Sequence, residues 1–519
     1  MHEDGLSWRP RWIAVLLAIW IAGCSSQPEP PRPTGSSSEC AVEPANAKDK
    51  TSTPKPTGEP AELFAGWPKP QTVLIITGNQ YGYLEPCGCT GLANQKGGLA
   101  RRHSLIKQLV AKGWDVAPLD AGNQVRRFGP QAELQFQITA DALKKMGYKA
   151  IGLGHDDLSL GELISSIAPD ADGPPGPFTS ANVAVADRSL LPRHLIVEAG
   201  GRKIGVAAVL GDDLRKKAAD PDMLQDSVDD GLKEVLPEFD KATCDFRVLL
   251  AFTDEDDAKE IAKRHPVFNL VVASSSSAEP LPRPEAIEKT KSSLVHTGPK
   301  GMFAIVIGLY GDREEPKIRY ERVPLDDRFP DSKEMRELMA GYQQQLKQQG
   351  LEELGVKPLP HPRGKFVGTA TCGECHTKAL TVWEKSKHAH ATDSLIHPGE
   401  RGDIPRHFDP ECLSCHVTGW EPQKFLPFES GYLSVEKTPE LMQNGCENCH
   451  GPGAEHVAAE GGADGALQEK LRTAMRLPLA DKVAERKCME CHDIDNSPDF
   501  HEPGAFEKYW KDVEHKGKD

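Results

Sequence analysis

Four copies of one short pattern, Cys-x-x-Cys-His, lie in the last third of this 519-residue chain. They are Cys372-Gly-Glu-Cys375-His376, Cys412-Leu-Ser-Cys415-His416, Cys446-Glu-Asn-Cys449-His450 and Cys488-Met-Glu-Cys491-His492. Two thiols at this spacing reach the two vinyl groups of one porphyrin, and the adjoining histidine is then set beneath the iron as its proximal ligand. The pattern therefore predicts four covalently attached haem c groups. A lone Cys-x-x-Cys could serve zinc or a dithiol redox couple. Four copies, each with histidine directly after the second cysteine, do not fit either use. Covalent linkage also holds a macrocycle where little protein surrounds it, so the haems themselves largely replace a side-chain core in this region.

Seven further histidines share the region: His388, His390, His397, His407, His456, His501 and His515. Four irons need at most four of them, and each is otherwise a surface histidine. Two imidazoles on one iron give a low-spin electron-transfer centre, whereas a free sixth position admits small ligands.

The N-terminus reads as an export signal. Arg9 and Arg11 precede an apolar run from Trp12 to Ile21, which ends in Ala22-Gly23-Cys24. The run is shorter than the roughly 20 residues a membrane span needs. The Ala-Gly-Cys end resembles the bacterial lipobox, which implies cleavage before Cys24 and lipidation there. The alternative is an ordinary signal peptide with an incidental cysteine. Outside the cytoplasm Cys40, Cys87, Cys89 and Cys244 could pair or bind metal. The chain has 62 Lys and Arg against 77 Asp and Glu, a net charge of −15, which does not suit nucleic acid.

Composition divides the rest. Residues 24–66 are rich in Pro, Ser, Thr and Glu and read as a disordered tether after a signal at 1–23. From Thr72 short apolar runs alternate with helical periodicity: 72–76, 149–151, 204–209, 247–250, 270–272 and 303–307 against 98–112, 131–146 and 256–264. That alternation predicts a layered α/β domain over 67–325. Residues 332–353 have helical period, and Pro358-Leu-Pro-His-Pro362 breaks the chain, giving a helical connector and linker at 326–366. Beyond it strand patterns vanish, so 367–519 is expected to be mostly helix and loop.

The C-terminal region resembles the tetrahaem cytochrome c family that accepts electrons from hydroxylamine oxidoreductase. The resemblance rests on Val367-Gly-Thr-Ala-Thr-Cys372, Trp383-Glu-Lys-Ser-Lys-His388-Ala389, Cys412-Leu-Ser-Cys-His-Val-Thr-Gly419, Gly445-Cys-Glu-Asn-Cys-His-Gly-Pro-Gly453 with His456, Asn496-Ser-Pro, and Tyr509-Trp510 with His515. It implies stacked haem pairs and distal ligands at His388, His456 and His515. It also implies that the haem of His416 lacks a protein distal ligand. His390, beside His388, and His407, five residues before the second motif, are the competing candidates.

The N-terminal region resembles the calcineurin-like metallophosphoesterases, in particular their 5′-nucleotidase branch. The series is Thr77-Gly-Asn-Gln-Tyr-Gly-Tyr-Leu84, Gly97-Gly-Leu-Ala-Arg-Arg102, Leu119-Asp-Ala-Gly-Asn123, Gly154-His-Asp-Asp157 and Phe178-Thr-Ser-Ala-Asn182. Such enzymes hold two metals through Asp, His and Asn at strand ends. Here Asn79-Gln80-Tyr81, Gly122-Asn123, His155-Asp156-Asp157, Ala251-Phe252 and Ser274 to Ser277 stand at the corresponding places. Neutral Asn, Tyr and Ser hold divalent ions poorly, so the dinuclear site is expected to be lost and phosphatase activity with it. Cys87-Gly-Cys89 is too close for an easy mutual disulfide. One of the two could pair with Cys40 or Cys244, or Cys87, Cys89 and His155 could hold one soft metal ion.

The expected function is that of a lipid-anchored electron carrier on the periplasmic side of a bacterial membrane. It would meet redox partner proteins, and its α/β domain would bind a small ligand or dock a partner. Two alternatives are a multihaem oxidoreductase acting on a small nitrogen or sulfur species at an open haem, and a metal-dependent hydrolase fused to a cytochrome.

Overall fold

The computed structural model describes residues 62–516, apart from 87–94, 127–128, 168–175, 186, 218–222, 277, 313–315, 400–401 and 495. Cys24, Cys40, Cys87 and Cys89 lie outside the described residues, as does the export segment. Among the described residues no helix is long and apolar enough to cross a membrane.

The α/β region begins at strand β1 (Thr72–Thr77), every residue of which is buried. Its apolar run has no polar alternation because both faces are covered. The further strands are β2 (Val116–Asp120), β3 (Ala150–Ile151), β4 (Val183–Val185), β5 (His194–Ala199), β6 (Arg202–Leu210), β7 (Met223–Gln225), β8 (Phe246–Phe252), β9 (Leu270–Ala273), β10 (Glu285–Ala286), β11 (Ser293–His296), β12 (Phe303–Tyr310) and β13 (Lys317–Pro324). Five of them form a sheet in the order β13-β12-β1-β2-β3, and six form a second in the order β10-β11-β9-β8-β6-β5. β1 runs parallel to β2, with Thr77 opposite Asp120, and antiparallel to β12. β6, β8, β9 and β11 are parallel neighbours.

The two sheets face each other. One apolar cluster draws Leu74, Ile76, Leu119 and Ile305 from the first and Ile204, Val206, Val248, Leu270 and Val295 from the second. Helices cover the outer faces. Helix α1 (Leu99–Ala111), α2 (Pro130–Lys145) and α3 (Gly161–Ile167) lie on the first sheet. After the short α4 (Asp212–Lys217), α5 (Val228–Lys241) and α6 (Glu255–Arg264) lie on the second. Helix α5 shows why: Val228, Leu232, Val235 and Phe239 recur at helical spacing and are all buried. Ser227 caps it by accepting from the amide of Asp230. The result is a helix–sheet–sheet–helix sandwich, as the alternating pattern predicts.

Helix α7 (Lys333–Glu353) is more than a spacer. Met335, Met339, Tyr342 and Leu346 make one buried stripe that joins the core under α1 and α2. The chain breaks helical geometry at Gly350, where φ is 67°, a value open to glycine at little cost. Residues beyond 366 form short helices, turns and a two-residue ladder between Trp420–Glu421 and Leu426–Pro427. Their apolar cluster is small: Leu395, Leu413, Val417, Trp420, Tyr432 and Leu441.

The two regions meet around the second Cys-x-x-Cys-His motif. Gln131 of α2 donates to Asp409 at 2.8 Å, and Gln135 donates to Glu411 at 3.4 Å. Arg406 pairs with Glu85, and Ile404 and Phe408 pack on the α/β core.

Candidate functional site

Each Cys-x-x-Cys-His motif folds as about one helical turn, which is the local geometry the chemistry asks for. The amide of His376 donates to the carbonyl of Cys372 at 3.0 Å, and that of His492 to Cys488 at 2.9 Å. The second and third motifs end the helices Pro410–His416 and Cys446–His450. A separation of three residues puts both sulfurs of a motif on one side of the turn.

The four motifs are packed together. The Cys372 and Cys446 sulfurs are in hydrogen-bond contact, as are those of Cys415 and Cys491, and Cys449 and Cys488 line one cavity. Contacts therefore run from first motif to third, third to fourth, and fourth to second.

Three of the motif histidines face a second imidazole. His376 and His456 have ring centroids 6.4 Å apart, His492 and His388 6.0 Å, and His450 and His515 5.7 Å. Two imidazoles binding one metal at about 2 Å per nitrogen have centroids about 6 Å apart. The spacing thus fits an iron held between each pair. Second contacts fix the rings: His450 Nδ1 lies 2.6 Å from the Met475 carbonyl, His416 Nδ1 2.7 Å from that of Ala391, and His492 Nδ1 3.0 Å from the Ser497 hydroxyl. An Nδ1–H held this way presents Nε2 as the ligating atom. Burial, then the neighbouring His492 and His416, lowers the pKa of His388 to about 4, so its imidazole is neutral, as a metal ligand must be.

The competing histidines are placed elsewhere. His390 points to solvent beside Asp393, with 70% of its side chain exposed. His501 Nε2 is 2.8 Å from the His492 carbonyl, and Phe500 stacks on the His492 ring at 4.8 Å. His407 lies against Phe408 near Lys347, Glu436 and His397. A cavity open to solvent lies between His388 and His492, bounded by Cys488, Cys491, Trp420 and Phe428, with Glu447, Lys487 and Glu490 also on its wall. Its aromatic side chains and cysteines suit a flat macrocycle. The donor set, the ring spacing and this cavity together fit haem c.

The α/β region carries a second polar cluster at the carboxyl ends of β1 and β2, where open α/β sheets place ligands. Asp120 is fully buried, yet its oxygens are already taken. Thr77 donates at 2.5 Å, Gln124 at 2.7 Å and the Gly122 amide at 2.9 Å, and the buried guanidinium of Arg102 stands 3.7 Å away. Asp157 is likewise buried and accepts from the amides of Asn123, Gln124 and Gly154 at 2.7, 2.7 and 2.9 Å. Burial pushes its pKa up to about 7 against those donors. Asn79, Tyr81 and Asn123 sit at positive φ, and Asn79 is tied to the Ser274 carbonyl. Asn123 donates to Asp156 at 3.2 Å.

Among the described residues no group of three or more His, Cys, Asp or Glu is arranged to hold a metal ion. The oxygens of Asp120 and Asp157 are taken up by internal donors, whereas Asp156 accepts from Asn123 on one oxygen. Cys87 and Cys89 fall outside the described residues, and Cys244 is a free thiol beside the α5–α6 layer. Arg101 and Arg102 look alike in sequence and both are buried, but only Arg102 reaches Asp120, while Arg101 donates to the Gln95 and Leu325 carbonyls.

Residues 371–451 match the family model of cytochrome c554 and c-prime. The cytochrome c-554 of Nitrosomonas europaea is 28% identical over 148 residues, which is 26% of this chain and 60% of that protein. The chain thus spans less than two thirds of that relative. In structure the chain is similar to a 5′-nucleotidase precursor from Thermus thermophilus, with TM-score 0.45 and 16% identity over 63% of this chain and 66% of that one. It is also similar to the calcineurin-like phosphoesterase YfkN from Bacillus subtilis, with TM-score 0.43 and 14% identity over 54% and 98%. The C-terminal region is thus similar in sequence to cytochrome c554.

Proposed function

We propose that this chain is an exported, lipid-anchored tetrahaem c-type cytochrome that passes electrons between redox partner proteins on the periplasmic side of a bacterial membrane. The observation that carries this reading is the set of three histidine pairs at 5.7 to 6.4 Å. In this reading residues 24–66 tether the body to a lipid on Cys24, the α/β domain spans 67–325, a helical connector follows at 326–366, and the haem domain spans 367–519. Cys372 and Cys375, Cys412 and Cys415, Cys446 and Cys449, and Cys488 and Cys491 each hold one haem. His376, His416, His450 and His492 are the proximal ligands, and His456, His515 and His388 close the irons of the first, third and fourth motifs.

Bound haem supplies one-electron chemistry. The protein's part is to fix the order of the centres: first, third, fourth, second. The second motif ends that order against α2 of the α/β domain. That contact supports a role for the α/β domain in docking a partner or small ligand beside the haem chain, with its ancestral metal site lost.

Replacing His456 with Ala in the haem-loaded protein is expected to turn one low-spin haem high-spin or water-ligated. Absorption and paramagnetic resonance spectra would report it. If His456→Ala, His388→Ala and His515→Ala all keep the parent spectrum, the ligand assignment is wrong. The α/β domain is further expected to show no hydrolysis of nucleotides or phosphate esters with Mn²⁺, Zn²⁺ or Ca²⁺ supplied. Metal-dependent turnover that disappears in Asp156→Ala would favour the hydrolase reading instead.

A further inference from the structure

Glu447, inside the third motif, is a charged residue type in an almost fully buried place, with 2% of its surface exposed. Its carboxylate takes three backbone amides. Val367 donates to both oxygens at 3.0 and 3.1 Å, Gly368 at 2.8 Å and Gly453 at 2.7 Å. Every partner is a donor. A protonated acid would bring a hydrogen with no acceptor to receive it, so the arrangement is matched to the anion. Burial pushes the pKa of this group up, and the three amides oppose the shift. Among the described residues no Lys, Arg or His makes an ion pair with it.

Its position is also particular. Val367 and Gly368 open the segment that leads to Cys372, Gly453 follows His450, and the sulfurs of Cys372 and Cys446 touch. The carboxylate therefore lies between the first and third motifs and ties their backbones together. A buried anion without a counter-charge is costly. Apart from its propionates, a ferric haem with two neutral imidazoles carries one positive charge at its core, and the ferrous core carries none. Net charge and burial are among the terms that set such potentials, and a nearby fixed anion favours the oxidised form.

We propose that Glu447 is a positioning residue whose fixed negative charge, held by the amides of Val367, Gly368 and Gly453, lowers the reduction potentials of the haems around it, on the first, third and fourth motifs. The inference rests on the tetrahaem reading above. The test is a spectroelectrochemical titration of the full haem-loaded chain as wild type, Glu447→Gln and Glu447→Asp. Glu447→Gln should move the potentials of the surrounding haems upward and leave that of the second motif nearest the wild type, and Glu447→Asp, which keeps the charge, should leave all four near the wild type. Intact mass is read first. Fewer than four haems in the wild type defeats the tetrahaem reading, whereas four haems with all potentials unchanged in Glu447→Gln overturns this inference alone. Should Glu447→Gln lose haem or fail to fold, redox-difference infrared spectra of the wild type and Glu447→Asp decide. A carboxylate band that shifts on reduction and is displaced in Glu447→Asp supports the proposal; a protonated carboxyl band, or no carboxylate band that differs between the two, overturns it.

Discussion

A chain made without the haem-attachment machinery is expected to keep its α/β region folded and to lose the region beyond residue 366 to protease. The α/β sandwich buries three layers of apolar side chains between and outside its sheets. The C-terminal region has one cluster of six, with Trp420 and Tyr432 as its largest members. So small a core does not offset the conformational entropy of ordering a segment of this length. The histidine pairs and the cavity between His388 and His492 show where the missing apolar volume belongs. With attachment complete, intact mass should exceed that of the processed chain by four haems, and the haem should resist acid–acetone extraction. Limited proteolysis of the two preparations makes the comparison. A haem-free C-terminal region as resistant as the loaded one would show that side chains alone sustain it, and two or fewer haems after full attachment would end the tetrahaem reading.

Replacing Arg102 with Met is expected to destabilise the α/β region by about 3–5 kcal/mol, because it strands a buried carboxylate. Arg102 and Asp120 are both fully buried, and Arg102 also bonds Gln80. Adding Asp120→Asn should restore part of the loss, since the double change removes the uncompensated charge along with its partner. Urea unfolding followed through Trp67 and Trp114 fluorescence would measure both. If Arg102→Met costs no more than an exposed substitution, or if Asp120→Asn adds to the damage in full, the two groups are not coupled as their geometry indicates.

The sequence by itself determined the haem chemistry and the class of fold. The Cys-x-x-Cys-His pattern is local: one helical turn places two sulfurs and an imidazole, whatever surrounds them. The strands at 72–77 and 246–252 were equally legible, because a strand covered on both faces must be apolar throughout. So were α1, α2 and α6, whose apolar spacing needs no partner to be seen.

What only the tertiary structure decided is which residues meet across the chain. His388 and His390 are two residues apart and chemically identical, yet one faces His492 and the other faces water. Spacing could not choose between them, because the choice depends on a residue about a hundred positions away. Arg101 and Arg102 are both buried, and only the fold shows that Arg102 meets the carboxylate on β2 while Arg101 meets backbone carbonyls. Helix α7 read as a connector because its polar residues dominate the count, but its one apolar stripe lies on the α/β core. Glu447, between two cysteines, receives the amides of Val367 and Gly368 from 80 and 79 residues away. Local geometry is written in neighbouring residues, whereas burial and long-range pairing belong to the folded chain, where a charge either finds its partner or does not.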